Sequence, residues 1–415
     1  MPRPVPVTVV LLLTALASHR GCHAALGPSV VVDWLNQLQS YERTYTFQIV
    51  GRYFGLLGLA MGEAARASRA LPDQQSVNSS AVVAVAAHTL LTTWLPFTVR
   101  SNDQLIARQL RGISPPALLQ ARALGEAAAN KVSAARIGDG FASWAPFIPA
   151  APNISDSIGR YQFTPGQIHA QYPQLGDTLP LVLSREEVTQ IVEPLIQAFN
   201  TTYRFSPDYY ADLQYTAAWG GRNSSLRLPQ DEETVQFWVD GAGTASIAGH
   251  WLNISYAVLP ANYSVEQQAA FFARIGAAMA DTGLACYKIK YSALAWRPVT
   301  AIQQGDNSSR LAADPSWQPF INTPPHPAYP AGHVCLSAAA YQVLADALGT
   351  EAVSVSIGSE GLPGRPPRTY TSLRAVAEEV GRSRIMAGVH VKRECEDALL
   401  LGQKVARAVQ QRLAT

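Results

Sequence analysis

The chain has 415 residues, of which 48% are hydrophobic and 15% charged, and its formal net charge is +2. This balance is that of an ordinary globular protein with enough apolar material for a large core, and the length suggests two or three domains. The near-neutral charge gives no electrostatic footprint for nucleic acid or for an anionic membrane. Any recognition of anions must therefore be local.

The first 24 residues read as a secretory signal peptide. MPRPVP is a short basic start, VTVVLLLTALA is an apolar run too short to span a bilayer, and CHAA offers small residues for cleavage. We expect cleavage after Ala24 and a secreted, soluble protein with no membrane contact; an uncleaved anchor is the alternative. Glycosylation sequons of the N-x-S/T type agree with export, and they lie at Asn78, Asn153, Asn200, Asn223, Asn253, Asn262 and Asn307.

Cysteine contributes no framework. Without the leader, which contains Cys22, the chain keeps Cys286, Cys335 and Cys395, so at most one internal bridge is available. No pair has the CxxC spacing of a metal site. We expect each cysteine to behave as a small buried apolar residue.

The rest of the chain reads as mostly helical, with few strand signals. A Pro-rich stretch, WAPFIPAAPNISDSIG, interrupts the helices and is interpreted as a loop. The helix that begins at the Ser264 cap is expected to end at Arg297, because Pro298 removes the next backbone donor. The predicted fold is all-α, with an N-terminal helical bundle over residues 25–205 and a C-terminal bundle over residues 206–415. The predicted helices, in chain order, are TFQIVGRYFGLLGLAMGEAARASRAL, SSAVVAVAAHTLLTTWLPF, PALLQARALGEAAANKVSAARIGDGF, REEVTQIVEPLIQAFN, DEETVQFWVDG, SVEQQAAFFARIGAAMADTGLACYKIKYSALAWR, VCLSAAAYQVLADALG and the final pair within SLRAVAEEVGRSRIMAGVHVKRECEDALLLGQKVARAVQQRL.

The C-terminal half concentrates cations and histidines. In KYSALAWRP, Lys290 and Arg297 are seven residues apart, which on one helix would place both on nearly the same face. In SRIMAGVH, Arg384 precedes His390 by six residues, and the imidazole could act as a nucleophile or as a metal ligand. Three cations suit a tetrahedral trianion, and guanidinium groups suit its paired oxygens.

The stretch HPAYPAGH runs directly into a predicted helix. Gly332 and its neighbours would offer unpaired first-turn amides and the positive end of the helix dipole to an anion. The prolines stiffen the approach and hold His326 and His333 in place. Taken singly, each of these features also has an ordinary explanation, such as a solvated cation or a simple turn. Their combination, K-x6-RP, then P-x-GH, then SR-x5-H, outweighs those separate explanations.

These three motifs resemble the signature of the vanadium-dependent haloperoxidases, which share their anion site with the membrane-associated and bacterial acid phosphatases. The flanking AAHTLLTTWLP, GHW at 249–251, WRPVTAI and GVHVKRECEDALLLG also resemble the helical haloperoxidase pattern. The similarity covers nearly the whole mature chain and is strongest from about residue 235 onward. It implies two four-helix bundles with the site in the C-terminal one.

The resemblance also implies a role for each motif residue. Vanadate is the expected cofactor, bound by Lys290, Arg297, Arg384 and the Gly332 amide, with His390 as the ligand of vanadium. His333 would be the acid–base group that takes a proton from hydrogen peroxide, while Lys290 polarises the peroxide. His326 would lie just outside the anion shell, where histidine is associated with bromide-oxidising members.

The sequence departs from the family pattern at two positions. Ala331 stands where the family normally has a serine that bonds the anion, and losing that bond would weaken vanadate binding about tenfold or more. Tyr287 stands where some chloride-oxidising members carry tryptophan. In addition, Glu394 or Asp397 could orient His390 through its second nitrogen, although a solvated helix face is the expectation for either one alone.

The expected activity is oxidation of a halide, with bromide expected in preference to chloride, by hydrogen peroxide to hypohalous acid, which would halogenate a small organic acceptor. An acid phosphatase is the main alternative; there His390 would attack phosphorus and His333 would protonate the leaving alcohol. A non-catalytic anion-binding or structural glycoprotein is a third reading, which leaves His333 and His390 unexplained. The sequence allows a homodimer without predicting one.

Overall fold

The structure is a computed structural model that describes residues 26, 29–41, 43, 45, 47–71, 78–143, 146–150, 157–306, 308 and 310–414. The predicted signal peptide and the sequons at Asn153 and Asn307 lie outside these residues. In the described part of the chain, none of the helices is long and apolar enough to cross a membrane.

The predicted all-α class is confirmed: helices account for most of the described chain, and one small antiparallel hairpin is the exception. The helices predicted from the sequence are all present. Several shorter helices were not predicted from the sequence, among them α9. Buried residues lie all around α9, so its sequence shows no apolar periodicity that would mark one buried face. The elements are α1 (Val30–Tyr41), α2 (Phe47–Arg69), α3 (Ser79–Trp94), α4 (Val99–Gln109), α5 (Pro115–Ala134), α6 (Arg185–Ala198), α7 (Pro207–Gly220), α8 (Pro229–Phe237), α9 (Ser246–Val258), α10 (Val265–Ala293), α11 (Pro298–Gln304), α12 (Gly332–Leu348), β1 (Ala352–Ile357), β2 (Arg368–Ser372), α13 (Leu373–Met386) and α14 (Lys392–Ala414).

The longest helix, α10, is central to the packing. It begins with a complete capping box, in which Ser264 Oγ accepts from Gln267 N and Gln267 Oε1 accepts from Ser264 N. It packs against α2 from the N-terminal half of the chain and against α12 and α14 from the C-terminal half. The contact with α2 requires small residues, since a Cβ on Gly58 would lie 2.4 Å from the Phe272 carbonyl oxygen.

The prediction that α10 continues to Arg297 was wrong. The helix ends at Ala293, where Leu294 adopts a left-handed conformation with φ 48°. The following residues are extended and bonded to a loop, with Tyr161 N donating to Leu294 O and Trp296 N to Gly159 O. These long-range backbone bonds replace the last expected helical turn. Lys290 and Arg297 therefore do not share a helix face.

The main hydrophobic core is one cluster that extends from Leu26 to Val409 and includes residues of both halves. The three cysteines among the described residues are free and buried within or beside it, as expected of small apolar residues. The boundary at residues 205 and 206 between two bundles stays a prediction.

Candidate active site

The Pro-rich segment before α12 forms one wall of the site. It is held from several directions: Ala331 N donates to Glu394 O, Ala328 N to Ala295 O, and Gln171 N to Pro325 O. As predicted, the segment leads directly into a helix, which begins at Gly332 with Ala331 at the N-cap. The first amides of α12 have no carbonyl partner within their own helix, so this helix start can receive an anion.

Lys290 lies beneath this wall and is fully buried. Its Nζ donates to three backbone carbonyls, at 2.9 Å to Pro327, 2.8 Å to Ala328 and 2.5 Å to Pro330. An ammonium group has three N–H donors. Lys290 thus contributes positive charge to the site, while its hydrogens are directed at the main chain.

Arg297 connects two of the predicted histidines. It is fully buried at the N-cap position of α11. Its Nη2 lies 3.0 Å from His326 Nδ1, and its Nη1 lies 3.3 Å from His390 Nε2. Its Nε donates to the His326 carbonyl and its Nη1 to the Val389 carbonyl. One guanidinium therefore connects the HPAYPAGH stretch with the third motif.

Arg384 has side-chain N–H donors that are available to a bound group. It lies in the last turn of α13, and its side chain is buried. Its Nε and Nη1 have no hydrogen-bond partner among the described residues. Because buried guanidinium donors are normally paired, these two atoms indicate a place for an anionic group. Arg384 also interacts electrostatically with Arg297 and with the imidazoles of His333 and His390.

His390 lies in the short turn between α13 and α14. Gly388 makes this turn with φ 76°, and a Cβ there would lie 2.3 Å from the Gly220 carbonyl oxygen, so only glycine fits. The Nδ1 of His390 lies 2.6 Å from Glu394 Oε2. Since the guanidinium of Arg297 can only donate, His390 Nε2 carries the lone pair and Nδ1 carries the hydrogen.

The second acid suggested from the sequence is placed elsewhere. Asp397 accepts from the Tyr329 hydroxyl at 2.8 Å and pairs with Arg393. Glu394 is the residue that orients His390, and both carboxylates are buried, so the expectation of a solvated helix face was wrong.

His326 and His333 occupy different surroundings. His326 is buried and packs against Tyr287 with ring centroids 5.4 Å apart. His333 is only partly buried, and its Nε2 lies 3.2 Å from the Val239 carbonyl oxygen. His333 is therefore the histidine of the three that faces the exterior most.

Burial shapes the charge of the whole cluster. It lowers the pKa of Lys290 to about 8 and that of Arg384 to about 10, and it lowers the pKa of Arg297. Burial, together with these cations, holds the pKa values of His326, His333 and His390 well below the ordinary 6.5, so the imidazoles are neutral. Burial also raises the pKa of Glu394 to about 7. Binding of an anion would offset the free-energy cost of burying these cations.

Comparison with known proteins agrees with this arrangement. Residues 270–415 match the sequence family described as the VCPO second helical-bundle domain. A vanadium chloroperoxidase of Curvularia inaequalis is 26% identical over 162 residues, and the aligned part covers 33% of this chain and 26% of that protein's length.

Solved structures resemble the chain over nearly its whole length. The first bacterial vanadium-dependent iodoperoxidase to be solved has a TM-score of 0.76 at 20% identity, covering 93% of this chain and 98% of its own. A bacterial vanadium-dependent chloroperoxidase in its holo form has a TM-score of 0.67 at 14% identity, covering 94% and 95%. At these identities the likeness concerns the fold.

The fold and site define a helical-bundle protein with a buried cationic pocket at a helix start. Residues 270–415 match the VCPO second helical-bundle domain, and the resemblance of the chain to the vanadium-dependent haloperoxidases is confirmed.

Proposed function

We propose that the protein is a secreted vanadate-dependent haloperoxidase that oxidises bromide, in preference to chloride, with hydrogen peroxide to hypohalous acid. One observation carries the proposal: Lys290, Arg297 and Arg384 come from three separate segments and are buried around neutral histidines at the start of α12. Buried cations in excess require an anion, and a tetrahedral oxyanion matches their number and their donor geometry.

The residues present fit vanadate. The unpaired Nε and Nη1 of Arg384 offer donors to its oxygens, and His390 Nε2 offers a lone pair for vanadium. Arg297 Nη1 contacts His390 Nε2 in this structure, so the guanidinium would have to turn towards the vanadate oxygens. The first amides of α12 would complete the set of donors to these oxygens. Bound vanadate(V) would supply a Lewis acid that activates hydrogen peroxide without a change in its own oxidation state.

A side chain of the protein would accept the proton that hydrogen peroxide releases. His333 is neutral because burial lowers its pKa, and Nε2 must carry its hydrogen towards the Val239 carbonyl. The lone pair is then on Nδ1, which would take a proton from hydrogen peroxide. Lys290 would provide charge, and polarisation of the peroxide by this residue would require it to release one of its carbonyl partners.

His326 supports bromide as the halide. Its buried imidazole lies between Arg297 and Tyr287, which makes a polarisable, uncharged position beside the cationic pocket. The hypohalous acid would then halogenate a small organic acceptor. Release of such a reactive product outside the cell agrees with the predicted signal peptide, and the five sequon asparagines that the structure describes are all exposed and open to glycosylation.

The test is a halide assay of the purified, vanadate-loaded protein with hydrogen peroxide and bromide, chloride or iodide. We expect bromide oxidation that requires vanadate and disappears in His390→Ala. Replacement of exposed His169 by alanine is the matched control and should leave the rate unchanged. Activity that persists without vanadate would contradict the proposal.

A phosphatase would use the same cations, because phosphate and vanadate share shape and charge. The same preparation should therefore be assayed with an aryl phosphate and no vanadate. Hydrolysis of the ester that depends on His390, together with no halide oxidation, would replace the haloperoxidase with the phosphatase.

A further inference from the structure

Helix α9 carries a histidine and a tryptophan in succession, His250 and Trp251, that the site described above does not use. Both side chains are buried, with 5% and 0% of their surface exposed. The His250 Nδ1 lies 3.2 Å from Asp240 Oδ1, while its Nε2 is buried without a partner among the described residues. Because buried polar side chains are normally paired, the contacts of His250 indicate which parts of the chain this histidine holds in place.

His250 contacts both residues that flank Val239. Its ring stacks on Trp238 with centroids 4.7 Å apart and an interplanar angle of 29°, and its Nδ1–H donates to Asp240 on the other side. Asp240 has φ 41°, a strained conformation that persists only where surrounding contacts hold it. The Val239 carbonyl, between these two anchors, is the group that accepts from His333 Nε2.

Trp251 is linked to the backbone of the same histidine through Ser337. Its Nε1–H donates to Ser337 Oγ at 2.8 Å, and the Ser337 hydroxyl donates to the His333 carbonyl oxygen at 2.8 Å. Ser337 is fully buried and its hydroxyl has one hydrogen to give, so the bond from Trp251 directs that hydrogen towards His333. The backbone of His333 is thereby fixed in the first turn of α12.

We propose that His250 and Trp251 are positioning residues for His333: His250 fixes its imidazole tautomer through the Val239 carbonyl, and Trp251 fixes its backbone through Ser337. A carbonyl oxygen can only accept, so the contact selects the tautomer with hydrogen on Nε2 and leaves Nδ1 as the basic nitrogen. This inference rests on the proposed function only for its effect on turnover. The tautomer itself is a property of the protein.

The direct test is the tautomer of His333, read from long-range proton–nitrogen correlations of histidine-labelled protein and assigned with His333→Gln. We expect a single Nε2–H tautomer in the unchanged protein and a mixture in His250→Ala. His250→Phe keeps a ring on Trp238 but cannot bond Asp240, so we expect an intermediate result. Tyr256→Phe is the matched control, because it removes from the same helix a buried hydroxyl that has no partner in the described part of the chain.

The second readout separates positioning from binding. In vanadate-loaded protein we expect His250→Ala and Trp251→Phe to lower turnover about 10- to 100-fold, with the vanadate dissociation constant changed less than about threefold. An unaltered tautomer in both His250 variants would overturn the inference, as would turnover equal to that of Tyr256→Phe. If His250→Ala does not fold, His250→Phe decides. If the protein oxidises no halide, the proposed function fails while the tautomer result still decides this inference.

Discussion

Glu394 accepts a 2.6 Å hydrogen bond from Nδ1 of His390, four residues before it. The bond leaves the Nε2 lone pair directed at the cationic pocket, and it increases the basicity of that nitrogen. Glu394 is as deeply buried as the histidine it holds, so their geometry is fixed by packing as well as by the bond. The orientation of His390, the proposed ligand of vanadium, is therefore set by a residue of α14.

We expect Glu394→Ala to weaken vanadate binding about 10- to 100-fold, because His390 loses the partner that fixes its tautomer. Glu394→Gln should lose less, since its amide oxygen can still accept from Nδ1. The dissociation constant measured by calorimetry checks both. Glu396→Ala, an exposed acid two residues away that pairs with Lys392, is the control; an equal effect of the two alanine variants would refute the assignment.

Arg384→Met should have opposite effects on stability and on binding. Without an anion, the variant removes a buried cation with two nitrogen atoms that no described residue pairs with, so we expect an unchanged or higher melting temperature. Vanadate affinity should fall at least about tenfold with the loss of charged hydrogen bonds. Arg382→Met, whose side chain is 62% exposed, serves for comparison. Loss of stability in Arg384→Met without loss of affinity would show that Arg384 has a structural role only.

Ala331→Ser restores a hydroxyl at the N-cap of α12, where the side chain now makes no cap hydrogen bond. We expect about tenfold tighter vanadate binding, from one added hydrogen bond to a charged group. Calorimetric titration measures it. A higher melting temperature with no gain in affinity would mean that the hydroxyl caps the helix instead of bonding the anion.

Gly388→Ala should disrupt the site through the backbone. The added Cβ would meet the Gly220 carbonyl and would also disfavour φ 76°, so the turn that presents His390 must move. We expect loss of vanadate binding together with a lower melting temperature. Gly364→Ala has a similar φ of 83° but open space around its Cβ, so it isolates the cost of a left-handed conformation for alanine, about 1–2 kcal/mol. Equal behaviour of the two variants would contradict the role of the close contact.

The stability of the protein in phosphate-free buffer should depend on pH through Lys290, whose pKa burial lowers to about 8. Below that pH, both folded and unfolded chains hold the proton, and the cost of burying the ammonium is fully present. Between about pH 8 and pH 10.5, the ordinary pKa of lysine, only the unfolded chain keeps the proton on Lys290. The free energy of unfolding therefore rises with pH in this range.

The contribution of Lys290 is the difference between the unchanged protein and Lys290→Met, measured by urea unfolding from pH 7 to pH 10. We expect this difference to shift in favour of the unchanged protein by about 2–3 kcal/mol across that range. Parallel pH profiles of the two proteins would show that Lys290 keeps its proton throughout.

The sequence alone determined the helical class, most of the long helices and the residues of the candidate site. Helix periodicity and caps are local, so Ser264 and Gly349 could be recognised as the start of α10 and the end of α12. The spacing of cations and histidines in the three motifs was equally readable, because the residue types themselves carry the chemistry.

Tertiary structure decided how those residues meet. Arg297 leaves the helix that its spacing suggested because loop residues 159–161 bond the chain after Leu294 in an extended form. The hydrogens of Lys290 are directed to carbonyls that α10 meets only after the Pro-rich segment has folded onto it. Hydrogen-bond partners distant in sequence are fixed by packing, and no local pattern encodes them. For that reason the motifs identified the pocket, while the contacts of His250, Val239 and His333 became visible only in the folded molecule.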